Sequence, residues 1–367
     1  MSSAANYPVL DRILHHIALG NLELQKSLAD IEDRTHSHAL RQVRIERPVF
    51  ITALPRAGTT LLLELLVGSG AFAAHTYRDM PFVLCPLTWR SIARGFQRSA
   101  SPRERAHGDG MTIDFDSPEA FEEVIWKAFW RDGHAGGRIR ACSQSDRDPE
   151  FEAAFRDHLR KVIVLRSEAG RNILRYVSKN NANIARLPLL AALFPDCTIV
   201  LPFRDPMEHA RSLARQHANF LALHKKDAFA RKYMEWIGHY EFGAVFRPFE
   251  FCPVPPERGT GPDYWLEYWA SAYEYVLDNA PSRTVFVDYN RLCDNPEASL
   301  RCVAAAVGIA DASLVWQAAR LRIAQRQPET LATTRPSHVH DVYERLCDRA
   351  LAVTAARATE DRCQGAA

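Results

Sequence analysis

Apolar and polar positions alternate in distinct registers along the chain, and each register predicts an element. Across residues 8–30, Leu10, Ile13, Leu14 and Ile17 recur every three or four residues, which predicts one amphipathic helix packed on the main domain or on a partner. Residues 49–54 form an apolar, β-branched run that predicts a buried strand, and the apolar residues 61–67 predict a helix covered on most sides and stopped by Gly68-Ser69-Gly70. Serine, proline and acids at Ser117-Pro118-Glu119 predict the start of another helix, and Asp148-Pro149 opens one expected to run to about residue 168. A short strand at 173–177, a helix at 183–194, a strand at 197–203 and a helix carrying Arg211 and Ser212 follow in order. Strand, helix, strand, helix is the pattern of parallel βαβ units, so the expected fold class is α/β, with a central parallel sheet flanked by helices in three layers.

Between residues 221 and 262 that pattern breaks, and Trp236, Tyr240, Phe242, Phe246, Phe249 and Phe251 suit either an acceptor-binding lid or a core subdomain. A helix is expected at 263–279, and a C-terminal helix at 339–353 packing through Val342, Leu346 and Leu351. The expected organisation is an N-terminal helical extension (1–40), a main domain (41–355) with its aromatic insertion, and a disordered tail (356–367). His36 and His38 read as solvated loop residues.

Composition narrows the partners. The 367 residues are 47% hydrophobic and 25% charged, with a formal charge of +2 and a pI near 8.1. Such a balance gives no drive toward nucleic acid or membrane surfaces, so an anionic ligand must be met by local charge. Eight scattered cysteines without a Cys-x-x-Cys pair argue against a zinc site or disulfide framework and fit a reducing cytoplasm. The first thirty residues lack a basic segment followed by an apolar core, and no apolar run of eighteen occurs, so a cytoplasmic protein without an integral membrane segment is expected.

The candidate chemistry centres on the turn Pro55-Arg56-Ala57-Gly58-Thr59-Thr60. A glycine where backbone approaches a ligand, a cation beside it and two hydroxyls at a helix start make an anion site, with phosphate the expected anion. An ordinary βα turn capped by Thr59 or Thr60 is the simpler alternative. A Walker A loop is excluded, because there is one glycine and no lysine. Lys179 and Arg204 fall at the ends of two further predicted strands, where with Arg56 they would form one pocket. The arginine-rich residues 98–112 read as a loop whose His107-Gly108-Asp109-Gly110 is either a turn or a held histidine and acid. No second ligand cluster supports a metal there. Capping accounts for Glu119, and Phe121, Trp126, Phe129 and Trp130 either line a cleft or fill the core.

Residues 56–60 resemble the loop of sulfotransferases that cradles the 5′-phosphosulfate of 3′-phosphoadenosine 5′-phosphosulfate (PAPS). In that family an arginine ending a strand, followed eight residues later by a serine, binds the 3′-phosphate, and Arg204 and Ser212 have this spacing. Phe194-Pro195-Asp196, Thr198-Ile199-Val200 and residues 283–297 are also similar, so the likeness covers about 48–68, 172–218 and 283–310 in the family's order. The resemblance implies a P-loop-like fold and metal-free sulfuryl transfer from PAPS to a hydroxyl or amine of a glycan, glycolipid or small metabolite. It implies Arg56, Ala57, Gly58, Thr59, Thr60, Arg204 and Ser212 as nucleotide contacts, with Arg56 and Lys179 stabilising the leaving phosphate.

The departures bear on the base. Cytosolic phenol-type members carry Lys-Thr-His where this chain has Lys179-Asn180-Asn181, and an amide cannot replace that histidine. Glycan-type members use a carboxylate after the phosphate-loop helix, which makes Asp79 the first choice, with Tyr77, Met80, Pro81 and Phe82 expected to desolvate it and raise its pKa. His107 and Glu123 stand behind it. The cytosolic members' C-terminal nucleotide clamp has no counterpart, so Thr333-Thr334-Arg335 or the 98–112 arginines would cover the nucleotide. Two alternatives remain: a nucleotide phosphotransferase with Asp288 as its magnesium acid, and a non-catalytic nucleotide-binding homologue suggested by Asn181.

Overall fold

The computed structural model describes residues 9–93, 103–104, 112–113, 115–167, 174–254, 261–321 and 336–364. Helices α1 (Val9–Gly20), α2 (Leu22–Thr35) and α3 (Ser37–Gln42) precede strand β1 (Val49–Ile51) and helix α4 (Thr59–Gly68). Strand β2 (Phe72–Ala73), helix α5 (Pro86–Ala93), the antiparallel ribbon β3 (Arg103–Glu104) and β4 (Thr112–Ile113), and helices α6 (Glu123–Phe129) and α7 (Pro149–Arg166) follow. Next come β5 (Arg175–Lys179), a 3₁₀ turn at Asn181–Arg186, α8 (Leu187–Leu193), β6 (Thr198–Phe203), α9 (Pro206–Lys226) and α10 (Ala228–Ile237). The chain closes with α11 (Pro262–Asn279), β7 (Thr284–Asp288), α12 (Tyr289–Asp294), α13 (Pro296–Val307), α14 (Ala312–Val315) and α15 (Ser337–Gln364).

Five strands form one parallel sheet in the order β2-β5-β1-β6-β7. Strand β1 lies at its centre, with Ile51 opposite Lys179 on one side and Val200 on the other. Both faces are covered, which is why the strands read as continuous apolar runs. Successive side chains point to opposite faces. Phe50 therefore packs among Phe155, Tyr176 and Phe194 under α7, α8, α9 and α11, while Val49 and Ile51 pack with Leu62, Leu66, Val177 and Val200 under α4 and α13. The α/β, P-loop-like three-layer architecture expected from the sequence is thus present.

Several local expectations change. The N-terminal stretch is two helices, broken where the Asn21 side chain caps α2 by accepting from the Leu24 amide at 3.0 Å. Ile13 and Ile17 are about half exposed, at 50% and 47%, because α1 instead buries His15, Ala18 and Leu19, with His15 against Phe229 and Tyr233. His36 forms the one-residue turn between α2 and α3, with no side-chain capping bond, and His38 lies within α3. No helix starts at Ser117: Pro118 bridges to Thr76 and the Glu119 amide donates to His75, and this extended pairing delays α6 to Glu123.

Trp126 is fully buried against Phe151 and Phe155, the core use of that aromatic run. In the aromatic insertion, α9 continues to Lys226 before α10 begins; Phe242 stacks on Phe220, and Phe249 on Tyr268, so these rings join the main core. Among the described residues, no helix is long and apolar enough to cross a membrane.

Candidate functional site

The sheet sets the position of the loop. Beyond β1 the pairing runs on, with Asn180 N donating to Ile51 O and Thr52 N to Val200 O, both at 3.0 Å. Strand β1 lies between β5 and β6, and open α/β sheets bind ligands beyond the carboxyl ends of such strands. Arg56 has φ +73° and Gly58 φ +94°, both left-handed. At Gly58 a side chain is excluded twice, since a Cβ would also lie 2.5 Å from the Tyr289 ring. Helix α4 starts at once, with Thr59 as its first residue and Leu62 N donating back to Gly58 O at 3.1 Å. Its first N–H groups have no intrahelical acceptor and face the loop's open end with partial positive charge.

Three side chains from α9 and its approach hold this loop. His209 Nε2–H donates to the Pro55 carbonyl at 2.8 Å. Burial drops the imidazole from 6.5 to about 3, so it is neutral and a single donor at physiological pH. Arg204 Nη1 donates to the Arg56 carbonyl at 3.4 Å, its Nη2 pairs with Glu208 at 3.2 Å, and its guanidinium carbon lies 5.0 Å above the Tyr289 ring. Arg56 Nε donates to Ser212 Oγ at 3.4 Å. Arg56, Arg204 and Ser212 thus meet beside Gly58. Arg204 Nε is buried there and has no hydrogen-bond partner among the described residues. Lys179 ends β5 next to Ile51, mostly buried at 7% exposure.

Of the residues considered as bases, Asp79 and Glu123 are fully engaged elsewhere. Asp79 Oδ1 and Oδ2 each accept from Arg166 at 2.6 Å, and Oδ2 also accepts from His75 at 2.8 Å and from the Thr76 amide at 3.1 Å. Burial alone would raise this carboxyl, but His75 and the Arg166 charge pull it below its usual range. This reverses the expected upward shift, because the apolar neighbours visible in the sequence are outweighed by a cation from α7. Arg78 does not pair with it and turns instead to Asp116.

Glu123 is held by Arg186, Asn180 and His134. Burial would raise its carboxyl too, and the Arg186 charge and hydrogen bonds hold it far below the carboxylate range. Neither acid keeps a spare lone pair facing solvent. His107 lies outside the described residues, as do Thr333, Thr334 and Arg335. Asp288, the acid of the phosphotransferase alternative, caps α12 by accepting from the Asn290 and Arg291 amides.

One acid near the loop escaped sequence reasoning. Asn181 Oδ1 accepts from Thr59 Oγ1 at 3.5 Å, and Asn181 Nδ2 donates to Glu241 Oε1 at 3.0 Å. No spacing links residues 59, 181 and 241 in the chain.

A family model described as the sulfotransferase family matches residues 48–313, most of the chain. Among solved structures, the chain is similar to the sulfotransferase STF1 from Mycobacterium tuberculosis H37Rv, at 15% identity and a TM-score of 0.49, over 93% of this chain and 87% of that one. It is similar to the sulfotransferase STF9 from Mycobacterium avium at 16% identity and a TM-score of 0.48, over 94% and 87% of the two chains. A sulfotransferase domain from the Curacin biosynthetic pathway matches at 15% identity and a TM-score of 0.38, over 83% of this chain and 99% of that one. No curated protein matches the chain.

Proposed function

The chain belongs to the sulfotransferase family, and we propose that it uses PAPS to sulfate a hydroxyl or amine of a glycan, glycolipid or small metabolite. The observation that carries the nucleotide assignment is the meeting of Arg56, Arg204 and Ser212 beside a left-handed glycine, with the buried Arg204 Nε left without a partner among the described residues. An anion there would satisfy that donor. In this reading the α4 amides with Thr59 and Thr60 hold the 5′-phosphosulfate, Ala57 and Gly58 let it approach, and Arg204 with Ser212 takes the 3′-phosphate.

PAPS supplies an activated sulfuryl group. The protein contributes by orienting it and by placing positive charge where the leaving phosphate oxygen becomes more negative. Arg56 and Lys179 take that part, following the positioning and electrostatic logic of phosphoryl transfer. Cysteines that are all free among the described residues support a reducing, cytoplasmic setting.

Retention on immobilised 3′,5′-ADP, competed by PAPS and not by ATP with magnesium, is expected. Radiolabelled PAPS with a screen of glycans, lipids and phenols then identifies the acceptor. Competition by ATP with magnesium would overturn the proposal in favour of a phosphotransferase. Binding without turnover of any acceptor would leave a non-catalytic homologue.

A further inference from the structure

We propose that Glu241 is the general base of the sulfuryl transfer, mounted on the aromatic insertion and aimed at the phosphate loop through Asn181. The inference rests on the PAPS-dependent reading above. Only two hydrogen bonds, of 3.0 and 3.5 Å, and the width of one amide separate the Glu241 carboxylate from Thr59 Oγ1 at the head of α4. A base stands about 3 Å, heavy atom to heavy atom, from the group whose proton it takes, and the reacting atoms about 3–3.5 Å apart. An acceptor oxygen between Glu241 and a phosphosulfate on α4 fits that span.

Glu241 differs in occupancy from Asp79 and Glu123. Among the described residues its one hydrogen bond comes from Asn181, so Oε2 is open, and the side chain is partly exposed. Asp79 and Glu123, in contrast, are 3% and 2% exposed with their oxygens taken. Asn181 is itself 4% exposed and uses both ends of its amide, along with its carbonyl, which accepts from Thr52 Oγ1 at 3.4 Å. An asparagine at this place therefore orients a carboxylate rather than serving as the base.

The segment that carries Glu241 is held firmly. Gly243 N donates to His217 Nδ1 at 3.3 Å and Ala244 N to His224 Nδ1 at 3.1 Å. Burial lowers both imidazoles, His217 to about 4, and keeps those nitrogens unprotonated as acceptors. Phe242 stacks on Phe220, and Gly243, at φ +72°, packs against His224 where a Cβ would lie 2.6 Å away. A catalytic group needs such rigid support.

In the step itself, the acceptor oxygen gives its proton to Glu241 as it bonds to sulfur. The bond from sulfur to the 5′-phosphate oxygen breaks, its electron pair stays on that oxygen, and 3′,5′-ADP leaves. Glu241, being partly exposed, then returns the proton to water.

Glu241→Gln tests this, because glutamine keeps the acceptor for Asn181 and loses only the basic lone pair. Transfer of radiolabelled sulfate from PAPS to a series of phenols of decreasing pKa, with PAPS hydrolysis as an acceptor-independent readout, is compared in the two proteins. The expected result is a kcat loss of about 10²–10⁴-fold, with 3′,5′-ADP affinity within about twofold. The deficit shrinks for the most acidic phenols, which arrive ionised, and Glu241→Asp recovers part of the rate. A merely structural role would not depend on phenol pKa. Wild-type turnover matched by Glu241→Gln overturns the base assignment alone. A wild-type protein that neither binds 3′,5′-ADP nor consumes PAPS overturns the reading beneath it.

Discussion

Arg186 grips Glu123 with both terminal nitrogens, at 2.6 and 2.7 Å, in a position where each side chain is 2% exposed. The pair anchors the 3₁₀ turn after Lys179 to α6, with Asn180 as a third member at 2.8 Å. Removing one partner of a buried pair leaves an uncompensated charge and costs about 3–5 kcal/mol. Glu123→Ala is therefore expected to lose that much stability in denaturant unfolding. Its pH dependence has a definite sign. The unfolded carboxyl takes a proton as pH falls through about 4.5, the folded one does not, so the contribution is intact above that pH and declines below it.

Asp79→Asn separates a structural carboxylate from a catalytic one. The substitution weakens the Arg166 and His75 contacts that lock the turn at Tyr77–Asp79. Thermal stability is expected to drop, while sulfate transfer per folded molecule stays within a few-fold of wild type. A loss of about 10²-fold or more in rate, with stability unchanged, would return the base role to Asp79.

His209, bonded to the Pro55 carbonyl, is expected to make the Pro55–Thr60 loop acid-sensitive. Its pKa is lowered by folding, so the unfolded chain binds a proton below 6.5 that the folded chain refuses until about 3. Stability falls as pH drops through this window, by up to about 1.4 kcal/mol per pH unit. His209→Gln can still offer an N–H to Pro55 and cannot charge. Melting curves between pH 7 and pH 4 are expected to show a shallower acid decline in the variant.

Gly58→Ala meets both backbone strain and the Tyr289 ring, whereas at Gly70, with φ +76°, an added methyl group would have nothing within 4 Å. Left-handed strain alone costs about 1–2 kcal/mol. Gly70→Ala is expected to lose about that much stability and Gly58→Ala more, and only Gly58→Ala should weaken 3′,5′-ADP binding, by about tenfold or more. Calorimetric titration distinguishes them.

Arg204→Ala and Ser212→Ala are each expected to weaken binding of 3′,5′-ADP much more than of 5′-AMP. A charge-assisted hydrogen bond contributes about 1.5–3 kcal/mol, which is at least about tenfold in affinity. Equal losses for the two nucleotides would remove the 3′-phosphate assignment.

Elements whose structure follows from neighbouring residues were legible in the chain. Strand β1 at Val49–Ile51, helix α4 at Thr59–Gly68 and helix α7 behind its Asp148 cap lie close to where apolar runs and caps predict. Arg56 and Arg204 were legible too, because a parallel sheet brings strand ends together once the strands are recognised. Ser117-Pro118-Glu119 was misleading, since a helix-start signal worth about 1 kcal/mol lost to the bridge with Thr76.

By itself, the sequence determined the α/β class and the family, both of which depend on short-range patterns of residue type and backbone freedom. Only the tertiary structure decided what each carboxylate can do. Asp79 is neutralised by Arg166 from α7, Glu123 by Arg186 beyond β5, and Glu241 is carried to Thr59 by Asn181. A carboxylate's proton affinity and access are set by the charges and donors that folding places around it, and those partners have no fixed separation along the chain.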